Sequence, residues 1–131
     1  MEMIYLRPNN VPKPAGDYSQ GLKVKKEGTL VVISGQVAWD TQGNLVGKGD
    51  ITAQARQVFE NLKNMLASAG ATFKDVVKLG IFLKNREDFG PLREVRAQYL
   101  NPPYPPTTTL IVKDLAREEW LVEIEAMAVV D

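Results

Sequence analysis

The sequence predicts an α+β fold of two layers, a mixed β-sheet with two helices laid on one of its faces. Three observations predict it. Residues 77–84 alternate apolar and polar side chains with the period of a strand. Residues 51–69 repeat apolar side chains every three or four positions, the period of a helix. Gly- and Pro-rich clusters separate segments of the two kinds. The chain has 131 residues, the size of one compact domain, 1–131, with room for a substantial core.

Taken in order, "MEMIYL" predicts a short first strand. Residues 9–21, with Pro12, Pro14 and Gly16, form a connection that no regular pattern survives. "LKVKKEGTLVVISGQ" predicts a hairpin: Leu22 and Val24 alternate with lysines, Glu27 and Gly28 turn, and residues 30–33 are a buried run. A tight connection at "WDTQGNLVG" leads to the first helix, which Asp50 or Thr52 can cap and Gly70 can end. Its stripe is Ile51, Ala55, Val58, Phe59, Leu62, Met65, Leu66 and Ala69. The strand over 77–84 follows, with Val77, Leu79, Ile81 and Leu83 on one face. A second helix begins near Asp88 with Pro91 in its first turn. Leu92, Val95 and Tyr99 form its buried stripe, and Arg93 and Arg96 lie side by side on a neighbouring one. "NPPYPP" stops it, and two strands over 107–113 and 121–130 finish the chain. The order β-β-β-α-β-α-β-β implies a mixed six-stranded sheet with both helices on one face.

Composition narrows the chemistry. Lys plus Arg and Asp plus Glu each number 16, so the net charge is zero and nothing electrostatic favours nucleic acid or an anionic membrane. Histidine and cysteine are absent. Zinc, haem and iron–sulfur centres lose their usual ligands, and a Ser or Cys nucleophile activated by histidine is excluded. Any reaction must use carboxylates, Lys, Arg, Tyr, hydroxyls, backbone groups and water. No metal is expected. The N-terminal "MEMIYLRPNN" is too short and polar for a signal peptide, no apolar run approaches a membrane span, and the lack of cysteine suits a reducing cytosol.

The last strand poses a question. In "WLVEIEAMAVV", Glu123 and Glu125 share a face with Leu121, Met127 and Val129. That face either meets solvent and ion-pair partners or lines a site that uses a carboxylate. With both helices on one side of the sheet, the other side is bare and partly apolar, and oligomerisation is the usual way to cover it.

"YSQG", "ISGQVAWD", "QARQVFENLKNMLASAGATFKDVVKLGIFLKN" and "LVEIEAMAV" together resemble the RidA/YjgF family of enamine/imine deaminases, which also carries the older label of L-PSP endoribonuclease or translation inhibitor. The resemblance covers residues 18–129. It implies a chorismate-mutase-like fold assembled as a homotrimer, with a small-molecule ligand bound in clefts between subunits and no cofactor. It also implies a glutamate that positions the hydrolytic water, a tyrosine wall, backbone contacts and an arginine that holds the ligand's carboxylate. Carried over by position, the glutamate is Glu123, the tyrosine is Tyr18, and the backbone contacts come from Ser34, Gly35 and the strand around Thr109. Glu125 would then pair with Lys78 or Lys84.

One position departs from the pattern. Archetypal members read proline, small residue, arginine where this chain reads "PPT", so Thr107 stands in the arginine's place. Threonine cannot form the bidentate, charge-assisted pair that fixes a carboxylate. Losing such a pair at a buried site removes about 2–5 kcal/mol of binding. Two routes remain open: Arg93 or Arg96 reaches in from the second helix, or the ligand is more neutral and meets the hydroxyls over 107–109. The function is accordingly either hydrolytic deamination or ligand binding without catalysis. Zero net charge and the absence of histidine argue against the older ribonuclease label.

Overall fold

A computed structural model describes residues 2–25 and 27–131. Met1, at the head of the expected first strand, and Lys26, inside the expected hairpin, lie outside the described residues. The elements run β1 (Glu2–Leu6), β2 (Gly21–Lys25), β3 (Thr29–Gln36), α1 (Ile51–Ser68), β4 (Val76–Leu83), α2 (Phe89–Arg96), β5 (Thr107–Ile111) and β6 (Val122–Val130). This is the expected order, and the class is α+β.

Four strands form a mixed sheet in the order β3-β6-β4-β5. β6 is antiparallel to both of its neighbours, and β4 runs parallel to β5. α2 supplies the crossover that a parallel pair requires. β1 and β2 pair with each other in a separate two-stranded sheet. The six strands are thus divided four and two, not joined in one continuous sheet. The expected hairpin gives way for the same reason: β2 takes β1, with Met3 opposite Val24, while β3 takes the distant β6. Alternation decides which residues share a face and leaves the partner open.

Local chemistry sets the helix limits. The Asp50 carboxylate accepts the Ala53 N–H at 3.1 Å and caps α1, an interaction worth about 1 kcal/mol. Past its end, Gly70 adopts a φ of +73°, and the Gly70 and Ala71 N–H groups bond back to the Ala67 and Leu66 carbonyls. Val58, Phe59, Leu62 and Leu66 are fully buried, whereas Met65 of the same stripe is 43 % exposed. In β4 the buried residues are Val76, Leu79, Ile81 and Leu83. A bulge between Val76 and Lys78 shifts the phase, so Val76 takes the place expected of Val77.

The core lies between the helices and one sheet face, with α1 packed on β3, β6 and α2. Two amides of α1 tie loops to it. The buried Gln54 donates to the Gly47 and Glu119 carbonyls and accepts the Leu121 N–H. Asn61 donates to the Val37 and Trp39 carbonyls. Every polar atom of Gln54's amide that faces the core is therefore satisfied, as burial demands.

The opposite sheet face has no helix on it. Leu30 and Val32 point outward at 61 % and 64 % exposure, while Ile33 is buried on the core face, so the expected buried run over 30–33 is an alternating strand. In β6, Val122, Ile124, Ala126 and Ala128 point to the core, and Glu123, Glu125 and Met127 share the open face. Among the described residues no helix is long and apolar enough to cross a membrane.

Candidate functional site

The residues singled out in the sequence fall into two groups on opposite faces of the four-stranded sheet. Thr109 shares a ladder position with the core residues Ile81 and Ile124, and Thr107 with Leu79. Their side chains therefore lie on the helix side. Glu123 is registered with Phe82, which is registered with Leu110 on the open face.

The first group is a cavity of about 320 Å³ lined by Ala15, Gly16, Asp17, Tyr18, Phe89, Arg93, Arg96, Thr107 and Thr109. Five of the eight expected site residues meet here. A strap over residues 16–19 closes one side. The Ser19 N–H bonds to the Pro105 carbonyl at 3.3 Å and its hydroxyl to the Tyr104 carbonyl, which joins the strap to the entry of β5. The Tyr18 hydroxyl accepts the Ala15 N–H at 3.1 Å, which fixes the ring within the strap.

α2 forms another wall. Arg93 and Arg96, three residues apart, project to one side of it and both line the cavity. The Arg93 guanidinium sits 5.6 Å from the Phe89 ring centroid, a cation–π distance. Arg96 is only 3 % exposed, and among the described residues its Nε has no hydrogen-bond partner. Burial pushes the Arg96 guanidinium below its ordinary value; the Asp17 carboxylate opposes that, and the like charge of Arg93 adds to it. The Thr107 hydroxyl donates to the Pro105 carbonyl at 3.0 Å. Its single proton is thereby committed to the chain itself.

The second group lies where β3 meets β6. The pairing register breaks between Ile33 and Gln36, a bulge that contains Ser34 and Gly35. The Glu123 side chain occupies the space that a side chain at 35 would need: a Cβ there would stand 2.0 Å from Glu123 Oε2. Glycine is what lets the carboxylate lie on the backbone. Burial raises the Glu123 carboxyl above the usual carboxylate range, and the neighbouring Glu125 charge raises it further. Ser34 is exposed beside it, its carbonyl accepting from the Gln36 amide. Glu125 does not find the expected lysines: Lys78 donates to the Thr108 hydroxyl at 2.9 Å, and Lys84 meets Asp114 at 3.5 Å and the Glu118 carbonyl. Each lysine has a nearer acceptor on the adjoining strand or loop. Among the described residues no group of three or more carboxylates stands together as a metal-holding cluster.

Sequence reasoning missed Asp17 and Phe89. Asp17 adjoins Tyr18 in "DYSQG", and Phe89 precedes Arg93 by the four residues that stack side chains on a helix. Trp39 packs edge-on to Trp120 at 5.2 Å beneath the Arg117 guanidinium.

The fold is that of a known family. The profile of the endoribonuclease L-PSP family matches residues 8–130, and the chain belongs to that family, the RidA/YjgF group that its motifs resemble. It is 40 % identical over 119 residues to a RutC family protein of Pyrococcus horikoshii, covering 91 % of each chain. It is 35 % identical over 120 residues to a 2-iminobutanoate/2-iminopropanoate deaminase of Dermatophagoides farinae, covering 92 % of this chain and 91 % of that one. Among solved structures, the Rid family protein YyfB of Yersinia pestis superposes with a TM-score of 0.82 at 34 % identity, covering 99 % of this chain and all of the other.

Proposed function

We propose that the chain, as one domain over 1–131, is a cytosolic, cofactor-free hydrolytic deaminase of small imines, working where two copies meet in a homotrimer. The observation that carries this reading is the Glu123 carboxyl held over the Gly35 backbone with a raised proton affinity. Raised carboxyls are how enzymes bring a general base toward neutral pH. Relatives named as 2-iminobutanoate/2-iminopropanoate deaminases support the substrate class.

In this reading one copy supplies Glu123, Ser34 and Gly35 from its open face, and a neighbour supplies Tyr18, Thr109 and the α2 wall. The uncovered apolar residues Leu30, Val32 and Met127 on the same open face as Glu123 support such a junction. Glu123 takes a proton from water as the water oxygen bonds to the imine carbon. It returns that proton to the nitrogen to give a carbinolamine, then carries the hydroxyl proton to the same nitrogen as the carbon–nitrogen bond breaks, so that ammonia leaves a carbonyl product. An enamine enters the same path once its carbon is protonated to give the imine.

The test generates 2-iminobutanoate with a threonine dehydratase and follows its conversion to 2-oxobutanoate. Wild type should accelerate the conversion, and Glu123→Gln should lower the rate by about 100-fold to 10,000-fold. A wild-type rate equal to that of Glu123→Gln would remove the reaction. A binding module without catalysis would then stand in its place, the reading that Thr107 favours by supplying no cation.

A further inference from the structure

The α2 cavity has a charge imbalance. Its charged lining residues are two guanidiniums, Arg93 and Arg96, and one carboxylate, Asp17. Two positive charges against one negative leave one positive charge uncompensated. Buried charges are ordinarily paired and hydrogen-bonded, yet the Nε of Arg96 is enclosed and unpartnered. Leaving such a group unsatisfied has a cost. The one hydroxyl at the position where the family pattern has arginine gives its proton to Pro105, so it cannot donate to a bound anion.

Resting on the reading of this cavity as the substrate half-site, we infer that the anion clamp has moved from β5 to α2: Arg96, supported by Arg93, receives the carboxylate of a small monocarboxylic acid. A guanidinium presents a planar fork that matches a carboxylate with two parallel hydrogen bonds. A surplus of one charge suits a monoanion better than a dianion such as hydrogen phosphate. A cavity of about 320 Å³ lies at the small end of ligand sites, which suits an acid of a few carbons. Tyr18 lines the same cavity and offers its ring to the rest of the acid.

The test is a binding measurement, independent of turnover. Calorimetric titration of the wild-type protein at low salt compares 2-oxobutanoate with its uncharged amide, 2-oxobutanamide. The acid should bind about tenfold tighter or more, and Arg96→Gln should weaken acid binding about thirtyfold or more while leaving the amide unchanged. Adding Thr107→Arg to Arg96→Gln should restore acid binding. Equal wild-type affinity for acid and amide overturns the inference, as does a folded Arg96→Gln protein with wild-type affinity for the acid. If circular dichroism shows Arg96→Gln unfolded, the wild-type acid-to-amide ratio decides alone. Arg96-dependent binding without turnover keeps the clamp and removes the deaminase; turnover with Arg96-independent acid binding does the reverse.

Discussion

Replacing Gly35 with alanine should disable the chain while leaving it folded. The added Cβ would lie 2.0 Å from Glu123 Oε2, 2.8 Å from its Cδ and 2.9 Å from its Cγ. Ordinary carbon contacts need about 3.5 Å, so the carboxylate must withdraw by about 1.5 Å. Gly35 is not among the glycines with positive φ, so the backbone accepts alanine. The obstacle is the end of a flexible side chain, and pushing it off its rotamer costs about 0.5–1.5 kcal/mol. Thermal unfolding should therefore shift by only a few degrees. Displacing a catalytic group by about 1 Å can cost about a hundredfold in rate, so kcat should fall by about that factor. Gly80→Ala is the control: its Cβ meets Glu125 Cγ at 3.0 Å, and Glu125 acts only on the titration of Glu123, so kcat above the acid limb should be unchanged. A Gly35→Ala protein with full activity that Glu123→Gln still abolishes would refute the placement of the carboxylate on the bulge.

Activity should have an acid limb above the usual carboxylate range, because the Glu123 carboxyl is raised by burial and by Glu125; Glu125→Gln should move that limb to lower pH in a pH–rate profile. The same shift has a sign for stability. The folded chain holds this proton more tightly than the unfolded one, so stability falls as pH rises from the unfolded value through the folded one, and Glu123→Gln should flatten that slope in denaturant titrations. Gln54→Ala removes three hydrogen bonds at a fully buried site and should cost about 3 kcal/mol or more in urea unfolding, since each orphaned buried group costs about 1–3 kcal/mol. Val32→Glu puts a charge on the open face beside Met127; in sedimentation the wild type should run as a trimer and the variant as a smaller species.

Short-range chemistry was legible in the sequence. Asp50, Gly70 and the three-and-four spacing placed α1 because caps and periodicity act within a turn or two. The acids of β6 were placed on one face by alternation alone. Partner choice was not legible. Nothing within residues 22–36 reveals that β2 closes on β1 while β3 crosses to the C-terminus, since pairing is decided by the whole sheet. The bulge at Val76–Lys78 shows the same limit on a smaller scale. At the site, motif positions named residues, but only coordinates sorted Glu123 from Thr107 and Thr109 by face. The pairing proposed for Glu125 failed because a lysine's long stem reaches several acceptors that sequence cannot rank.

The split of these residues between two faces of one sheet also bears on how such a protein can change over time. The wall that would recognise the ligand is built on a surface helix and a strap, where side chains vary at little structural cost. The water-handling acid is locked into a bulge between two strands that meet from opposite ends of the chain. Selectivity can therefore drift at exposed positions such as 93, without disturbing the hardware on the far side.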